Sequence, residues 1–207
     1  MESGMTWLKW AIELQNLSQS ALAYCKDPFD IERFHRIREI SAEILAQHTD
    51  LPLEKVKDLF CGETGYQTPK LDCRAAVIQE DKILLVQENS GLWALPGGWM
   101  DVGLSVRENT IKEAKEEAGV DVSPCRIIAV QDWAKRNHSG PAAHSICKIF
   151  VLCSLLGGEF QVNNETTASG WFDLENLPPL AEEKTNRDQI ALCLNAGCAE
   201  HWETVFD

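Results

Sequence analysis

The apolar residues of this chain follow two successive rhythms. Between residues 5 and 60 they return every three or four positions, and from residue 71 they gather into short strand-like runs. Trp7, Trp10, Leu14, Leu17, Ala21 and Tyr24 alternate 3 and 4 spacing, the narrow seam of a coiled-coil type helix over residues 5–25. Asp27-Pro28 breaks it. A second helix is predicted over about 30–47, presenting Ile31, Phe34, Ile37, Ile40 and Ile44. A short third follows Asp50, with Pro52 in its first turn and Leu53, Val56 and Phe60 as its apolar positions. Such a group either caps a neighbouring domain or pairs with its twin. A seam with two tryptophans and few charges favours pairing, so a dimerisation arm is expected.

Residues 61–70 have the composition of a linker. Beyond them, Leu71–Gln79 and Ile83–Gln87 form a predicted hairpin with Asp81-Lys82 as its turn. Leu92–Leu95, Arg126–Asp132, Ser145–Leu155 and Gly170–Phe172 are further strand candidates. The run 145–155 is nearly all apolar and therefore central. Gly157-Gly158 is expected to turn, and Asp188–Ala196 to form a closing helix. Strands with helices inserted at two places predict an α+β fold, a mixed sheet in an α/β/α sandwich, and not a regular βαβ array. The expected division is a small all-α domain over 1–62 and a sheet-bearing domain over 63–207.

One stretch departs from simple packing. Leu95-Pro-Gly-Gly-Trp99 is a tight glycine loop feeding a short helix that ends at Gly119. Ser105 and Glu108 have the spacing of a capping box, and Gly119 sits where a helix C-terminal glycine belongs. At 100° per residue, Glu113, Glu116 and Glu117 fall within an arc of about 100°. Val106, Thr110, Ala114 and Ala118 line the neighbouring face, so the carboxylates border a buried seam. Like charges at these spacings repel by a few tenths of a kcal/mol per pair, more when partly buried. A cation is needed to offset them.

Composition narrows the rest. The 207 residues allow one well-packed domain plus a smaller attachment. A net charge of -13 with no basic run excludes a nucleic-acid-coating surface. Eight cysteines include no C-x-x-C pair, and most sit among apolar residues. Buried free thiols in a reducing cytoplasm are therefore expected, with Cys193 and Cys198 buried in the last helix. No charged leader with an apolar core is seen, nor an apolar run long enough to span a membrane.

The order and spacing of Gly98, Lys112-Glu113, Glu116-Glu117 and Gly119-Val120 resemble the Nudix box, the signature of the Nudix hydrolases. Ala114 takes its aliphatic place. Two positions depart: Leu104 stands where the box has Glu, and Lys112 where it has Arg. Lysine keeps the charge but loses the planar fork, and leucine cannot ligate a metal. Leu84-Leu85-Val86, Trp93-Ala-Leu-Pro-Gly-Gly98, Trp171-Phe172 and Leu177-Pro178 look like the same family. The Trp-rich first helix, the Asp27-Pro-Phe-Asp30 break and Glu32-Arg33-Phe34 resemble the extension of a subgroup described as ADP-ribose or CDP-choline pyrophosphatases. Gly-Gly-Trp-Met-Asp-Val-Gly-Leu-Ser over 97–105 is similar to that subgroup's box, which makes Leu104 a subgroup variation.

The resemblance implies hydrolysis of a nucleoside diphosphate linked to another moiety, with Mg²⁺ or Mn²⁺. CDP-choline would give CMP and phosphocholine, and ADP-ribose would give AMP and ribose 5-phosphate. Breaking a phosphoanhydride requires neutralising the nonbridging oxygens while water attacks phosphorus in line. Mg²⁺ prefers oxygen ligands. Glu113 and Glu117 are the expected principal ligands, joined by Glu116 and the Gly97 carbonyl. Glu116 and Glu165, the latter in Asn-Asn-Glu-Thr-Thr, are the catalytic candidates, with Glu165 as the loop general base or a plain turn carboxylate. Arg74 is a candidate phosphate holder or the partner of a box glutamate. Trp99 and Trp133 are candidates for stacking on a base, against ordinary core packing. His138 and His144 flank a loop able to close over substrate. The rival to an enzyme is a catalytically weak Nudix-like nucleotide sensor.

Overall fold

The computed structural model describes residues 6–137 and 145–207, which fall into two compact units, one within residues 6–69 and the other from residue 70 onward. His138, His144 and the loop between them lie outside the described residues.

The first unit holds α1 (Thr6–Leu22), α2 (Pro28–Gln47) and α3 (Leu53–Phe60). Asp27 accepts the backbone N–H of Phe29 at 2.9 Å and of Asp30 at 3.1 Å. With Pro28 preset for the first helical position, α2 begins two residues earlier than its apolar rhythm suggests. The face that α1 buries is Ala11, Gln15, Ser18 and Gln19. Gln15 bonds to Gln19 and accepts from the Arg38 guanidinium, which also donates to the Cys61 and Glu63 carbonyls. A polar clamp thus joins α1, α2 and the end of α3. The predicted seam divides: Trp7 stacks on His48 with ring centroids 4.3 Å apart and Leu14 and Ala21 are partly buried, whereas Trp10, Leu17 and Tyr24 remain 60%, 62% and 73% exposed.

The second unit is built on a mixed eight-stranded sheet. Its strands are β1 (Lys70–Gln79), β2 (Lys82–Glu88), β3 (Trp93–Ala94), β4 (Gly97–Trp99), β5 (Val120–Asp132), β6 (Ile146–Gly158), β7 (Thr166–Phe172) and β8 (Val205–Phe206). The order is β3-β2-β1-β6-β5-β8, with β4 on β1 and β7 on β2. β1 runs parallel to β6 and β5 parallel to β8, the other pairings being antiparallel. The apolar run over 145–155 is central, as expected of a strand covered on both faces.

Helices α4 (Val106–Ala118) and α6 (Arg187–Cys198) cover opposite faces, and the four-residue α5 (Trp133–Arg136) follows β5. Ala75, Val77, Val86 and Val151 pack with Ala114 and Ala118 of α4. Ala76, Leu85, Ile128 and Phe150 pack with Ile190, Cys193 and Ala196 of α6. Two buried layers around one sheet make the α/β/α sandwich that the sequence predicts.

Four local expectations change. The hairpin turn is Glu80-Asp81, both with positive φ (50° and 61°), one residue before the predicted pair. That is the two-residue primed turn whose twist suits a hairpin. Gly157-Gly158 does not turn but continues β6, because Gly158 faces Val120 so closely that a Cβ would stand 2.4 Å from the Gly119 carbonyl. β5 starts six residues before the predicted Arg126, with three register shifts that take in Pro124. Cys198 is exposed at the end of α6, whereas Cys193 is buried, and all eight cysteines are free.

Candidate active site

The glycine loop and α4 are fixed to each other before any ligand is considered. Gly97-Gly98-Trp99 is not a free loop but the strand β4, paired to Arg74, Cys73 and Asp72 of β1. Gly97 has φ +136°, and a Cβ there would stand 2.0 Å from the Cys73 carbonyl. Only glycine fits. The capping box forms in full: the Glu108 N–H donates to the Ser105 hydroxyl, and Glu108 returns a bond to the Ser105 N–H at 2.9 Å. Such a cap contributes about 1 kcal/mol. Gly119 closes the helix with φ +71°. Buried Asn109 accepts the Asp101 N–H at 3.0 Å and donates to the Cys73 sulfur at 3.1 Å, pinning the segment between β4 and α4.

The far end of α4 is finished by another segment. Asn163 donates to the Glu116 carbonyl at 2.8 Å, and Thr166 donates to the Glu117 carbonyl at 2.7 Å. These are two of the carbonyls that a helix end leaves unpaired. The Asn163 Oδ1 also accepts the N–H groups of Glu165 and Thr166, both at 2.9 Å. Glu165 is thereby presented beside the box glutamates.

A cavity of about 460 Å³ opens here, lined by Glu113, Glu116, Glu117 and Glu165 together with Gly97 and Gly98. Arg74, Trp99 and Trp133 also line it, so every site residue predicted from the sequence meets at one place. Glu117 accepts the Gly97 N–H at 2.7 Å. Burial pushes its carboxyl up to about 7; the Gly97 N–H and the Arg74 charge oppose this, while Glu113 and Glu165 add to it. Burial also raises Glu113, against the pull of Lys112. These carboxylates are desolvated faster than their neighbours compensate them.

Lys112 is the nearest compensation. Its ammonium reaches Glu116 at 2.8 Å, Glu113 at 3.1 Å and Asp101 at 3.3 Å, and the bonds to Glu116 and then Glu113 raise its pKa. Leu104 is not part of the cavity lining, and Asp101, three residues before it, brings a carboxylate to Lys112. The donor chemistry suits a hard divalent cation: carboxylate oxygens, partly buried, with excess negative charge. Among the described residues, however, no three acidic, histidine or cysteine side chains converge enough to enclose an ion as they stand. Glu113 and Glu116 would turn from Lys112 to do so.

Arg74 does not pair with a box glutamate. It is 4% exposed and gripped by Asp72 at 2.8 and 2.6 Å, with a third bond to the Leu95 carbonyl at 3.2 Å. Trp99 is half exposed on the rim, whereas the Trp133 indole donates to the Glu183 carbonyl at 2.7 Å. Sequence reasoning missed Asp72, Asp101, Lys148, Glu183 and Lys184, all of which line the cavity. The sole signal for Lys148 was a lysine inside an otherwise apolar strand.

Comparisons with known proteins agree with this geometry. Residues 5–60 match the model of a UDP-X-like, N-terminal oligomerisation domain, and residues 69–193 match the NUDIX domain. The chain is 39% identical over 202 residues, 97% of each, to a Bacillus subtilis (strain 168) protein called "Putative ADP-ribose pyrophosphatase YjhB". A crystal structure of an ADP-ribose pyrophosphatase from Streptococcus suis 89-1591 covers 68% of this chain and is itself wholly covered, at 59% identity and TM-score 0.63. The crystal structure of a UDP-X diphosphatase covers 96% of this chain and 97% of its own, at 32% identity and TM-score 0.61. Among the described residues no helix is long and apolar enough to cross a membrane. With the box glutamates gathered on a capped helix over a glycine strand, and both family models matched in order, the chain belongs to the Nudix hydrolases, pyrophosphohydrolases that act on phosphoric anhydride bonds.

Proposed function

We propose that this chain hydrolyses ADP-ribose to AMP and ribose 5-phosphate with Mg²⁺ or Mn²⁺ as cofactor. The carrying observation is the cluster of Glu113, Glu116, Glu117 and Glu165 around one cavity, with more buried negative charge than Lys112 balances. Its relatives from Bacillus subtilis and Streptococcus suis support ADP-ribose by name. Nudix hydrolases are generally divalent-metal dependent. Here Glu113, Glu116, Glu117 and the Gly97 carbonyl would hold the ion, which supplies charge neutralisation to the diphosphate oxygens.

The chain's own groups do the rest. Glu165 takes a proton from the attacking water, with Glu116 as the second catalytic carboxylate. Water's oxygen bonds to one phosphorus as the bridging P–O bond breaks, and the bridging oxygen leaves on the other phosphate. Trp99, half exposed, is assigned to stack on a base, with Trp133 as a second lining ring. Arg74, held by Asp72, adds a fixed positive charge beneath the phosphates.

The helical unit is assigned to homodimerisation through Trp10, Leu17 and Tyr24, supported by their exposure and by the oligomerisation description of the matching model. The proposed domains are 1–62 and 63–207. Free cysteines support a cytoplasmic setting. The test incubates the protein with ADP-ribose and with CDP-choline, each with Mg²⁺, with Mn²⁺ or with EDTA, and resolves the nucleotide products by chromatography. AMP from ADP-ribose, abolished by EDTA, is expected. CMP from CDP-choline alone would move the substrate, and turnover of neither would refute the reading. The relatives named above lend no support to a nucleotide sensor.

A further inference from the structure

We propose that Lys148 is a substrate-binding residue that takes a nonbridging oxygen of the diphosphate. This rests on the pyrophosphohydrolase reading above.

Four basic side chains line the cavity, and three are already paired. Arg74 is held by Asp72, Lys112 by Glu116, Glu113 and Asp101, and Lys184 by Glu88 at 2.7 Å. Lys148 is 1% exposed and, among the described residues, has no carboxylate within ion-pair distance. Its ammonium donates to the Lys184 carbonyl. An ammonium has three donors, so two remain for a ligand. A buried cation without a counter-anion is costly, and an anionic ligand removes that cost.

The strand register puts this group in the right row. Asp72 of β1 pairs laterally with Lys148 of β6 on one side and Trp99 of β4 on the other. Arg74, two residues on, pairs with Gly97, whose N–H is bound by Glu117. Laterally paired residues share a face, and one pleat repeat advances about 7 Å along the strand. Lys148 therefore stands on the face shared by Asp72 and Arg74, level with the exposed Trp99 and one repeat from the Gly97 row where Glu117 is bound, and it lines one cavity with Glu113 and Glu116. A diphosphate held in this cavity between the glutamates and that ring would have Lys148 in its lining.

Titratable groups around Lys148 are Asp72 and Arg74 on β1 and Glu183 and Lys184 on the segment before α6. Burial, then the Arg74 charge, lowers the ammonium to about 7, with Asp72 opposing and Lys184 adding. An incoming phosphate would hold it protonated. The bland alternative is a strut: Lys148 merely fastens the segment that Trp133 and Asn137 also hold through the Glu183 and Glu182 carbonyls.

The deciding probe is inorganic pyrophosphate with Mg²⁺, titrated calorimetrically into full-length protein, Lys148→Met and Lys148→Arg. Losing a charge-assisted bond should weaken binding about tenfold or more in the methionine variant, with arginine within about threefold of wild type. With ADP-ribose, KM should rise similarly while kcat stays within about threefold. A folded methionine variant that binds pyrophosphate like wild type overturns the proposal, as does a wild type that binds none. A strut would instead lower the melting temperature and kcat without arginine rescue. Should the variants not fold, a crystal structure of the wild type with pyrophosphate decides. An oxygen within about 3.2 Å of Nζ supports the proposal, and an anion seated away from Lys148 overturns it. Lys148-dependent binding without turnover of ADP-ribose or CDP-choline would sink the substrate reading and leave this one standing.

Discussion

The floor of the cavity rests on a buried ion pair, and Asp72→Ala should expose how much it supports. In the native protein the Arg74 guanidinium, 4% exposed, makes two bonds to Asp72 at 2.8 and 2.6 Å and one to the Leu95 carbonyl at 3.2 Å. Removing the carboxylate leaves a guanidinium in the interior with a single neutral acceptor. Breaking a buried pair from one side costs about 3–5 kcal/mol, because the surviving charge stays desolvated. At about 2–4 °C per kcal/mol for a domain of this size class, the melting temperature should fall by roughly 6–20 °C. Urea unfolding followed by tryptophan fluorescence, with thermal melting alongside, measures both. The decisive control is Asp72→Ala combined with Arg74→Met. Replacing both partners removes the stranded charge, and the main residual cost is the Leu95 carbonyl, about 1 kcal/mol. The double variant should therefore be more stable than the single one, within about 2 kcal/mol of wild type. A single variant losing less than about 1 kcal/mol, or a double variant no better than the single, would refute the reasoning.

Glu117→Gln keeps an acceptor for the Gly97 N–H, so its fold should persist while kcat on ADP-ribose drops by about a hundredfold or more; near-normal turnover would remove Glu117 from the metal set. The raised Glu117 carboxyl also predicts a pH effect on metal-free protein. Its proton is bound more tightly folded (about 7) than unfolded (near 4.5), so stability is full below the unfolded value and declines as pH rises towards 7. At about 1.4 kcal/mol per pH unit the loss is bounded near 3 kcal/mol; denaturation in EDTA across this window should show it, and Glu117→Gln should flatten it. Gly97→Ala forces a Cβ into the Cys73 carbonyl at a φ that side chains avoid; insoluble or inactive protein is expected, and normal activity would contradict the assigned register. Trp10→Glu with Leu17→Glu should give a monomer by sedimentation velocity with the far-UV spectrum unchanged, because both side chains are mostly exposed within the protomer; a persisting dimer would place the interface elsewhere.

Signals within a few residues were the legible ones. The capping box at Ser105 and Glu108, the Gly119 terminator and the face of Thr110, Ala114 and Ala118 depend on residues one or two turns apart, and all appear as read. The sandwich was legible because the apolar rhythm changes at residue 71. What depends on distant partners was not. Gly157-Gly158 looked like a turn, since nothing nearby says that Gly119 will press against that strand. Arg74 was placed at the site, but its choice of Asp72 over a glutamate is decided by sheet register and burial. Lys148 escaped notice because one lysine scarcely alters the hydrophobicity of its strand, and only β1 beside it reveals the cavity it enters. The α1 seam was legible as apolar, yet the face that packs within its own unit is Ala11, Gln15 and Ser18, where hydrogen bonds outweigh hydrophobicity.

The mooring of Asn163 and Thr166 on the last carbonyls of α4 has a dynamic corollary. A helix end normally frays independently of whatever loop lies nearby, with opening free energies near zero. Here fraying of Glu116 and Glu117 must also break the Asn163 and Thr166 bonds that moor the turn carrying Glu165, so opening of the helix end and release of that turn are coupled. Amide exchange should show one shared protection level across 116–119 and 165–166. The carboxylate proposed to handle the proton then keeps its distance from the box glutamates through thermal motion, with no hinge between them. A longer or shorter segment ahead of β7 would alter the last turn of the box helix as well as the base, which makes the two ends of the site a single inherited unit.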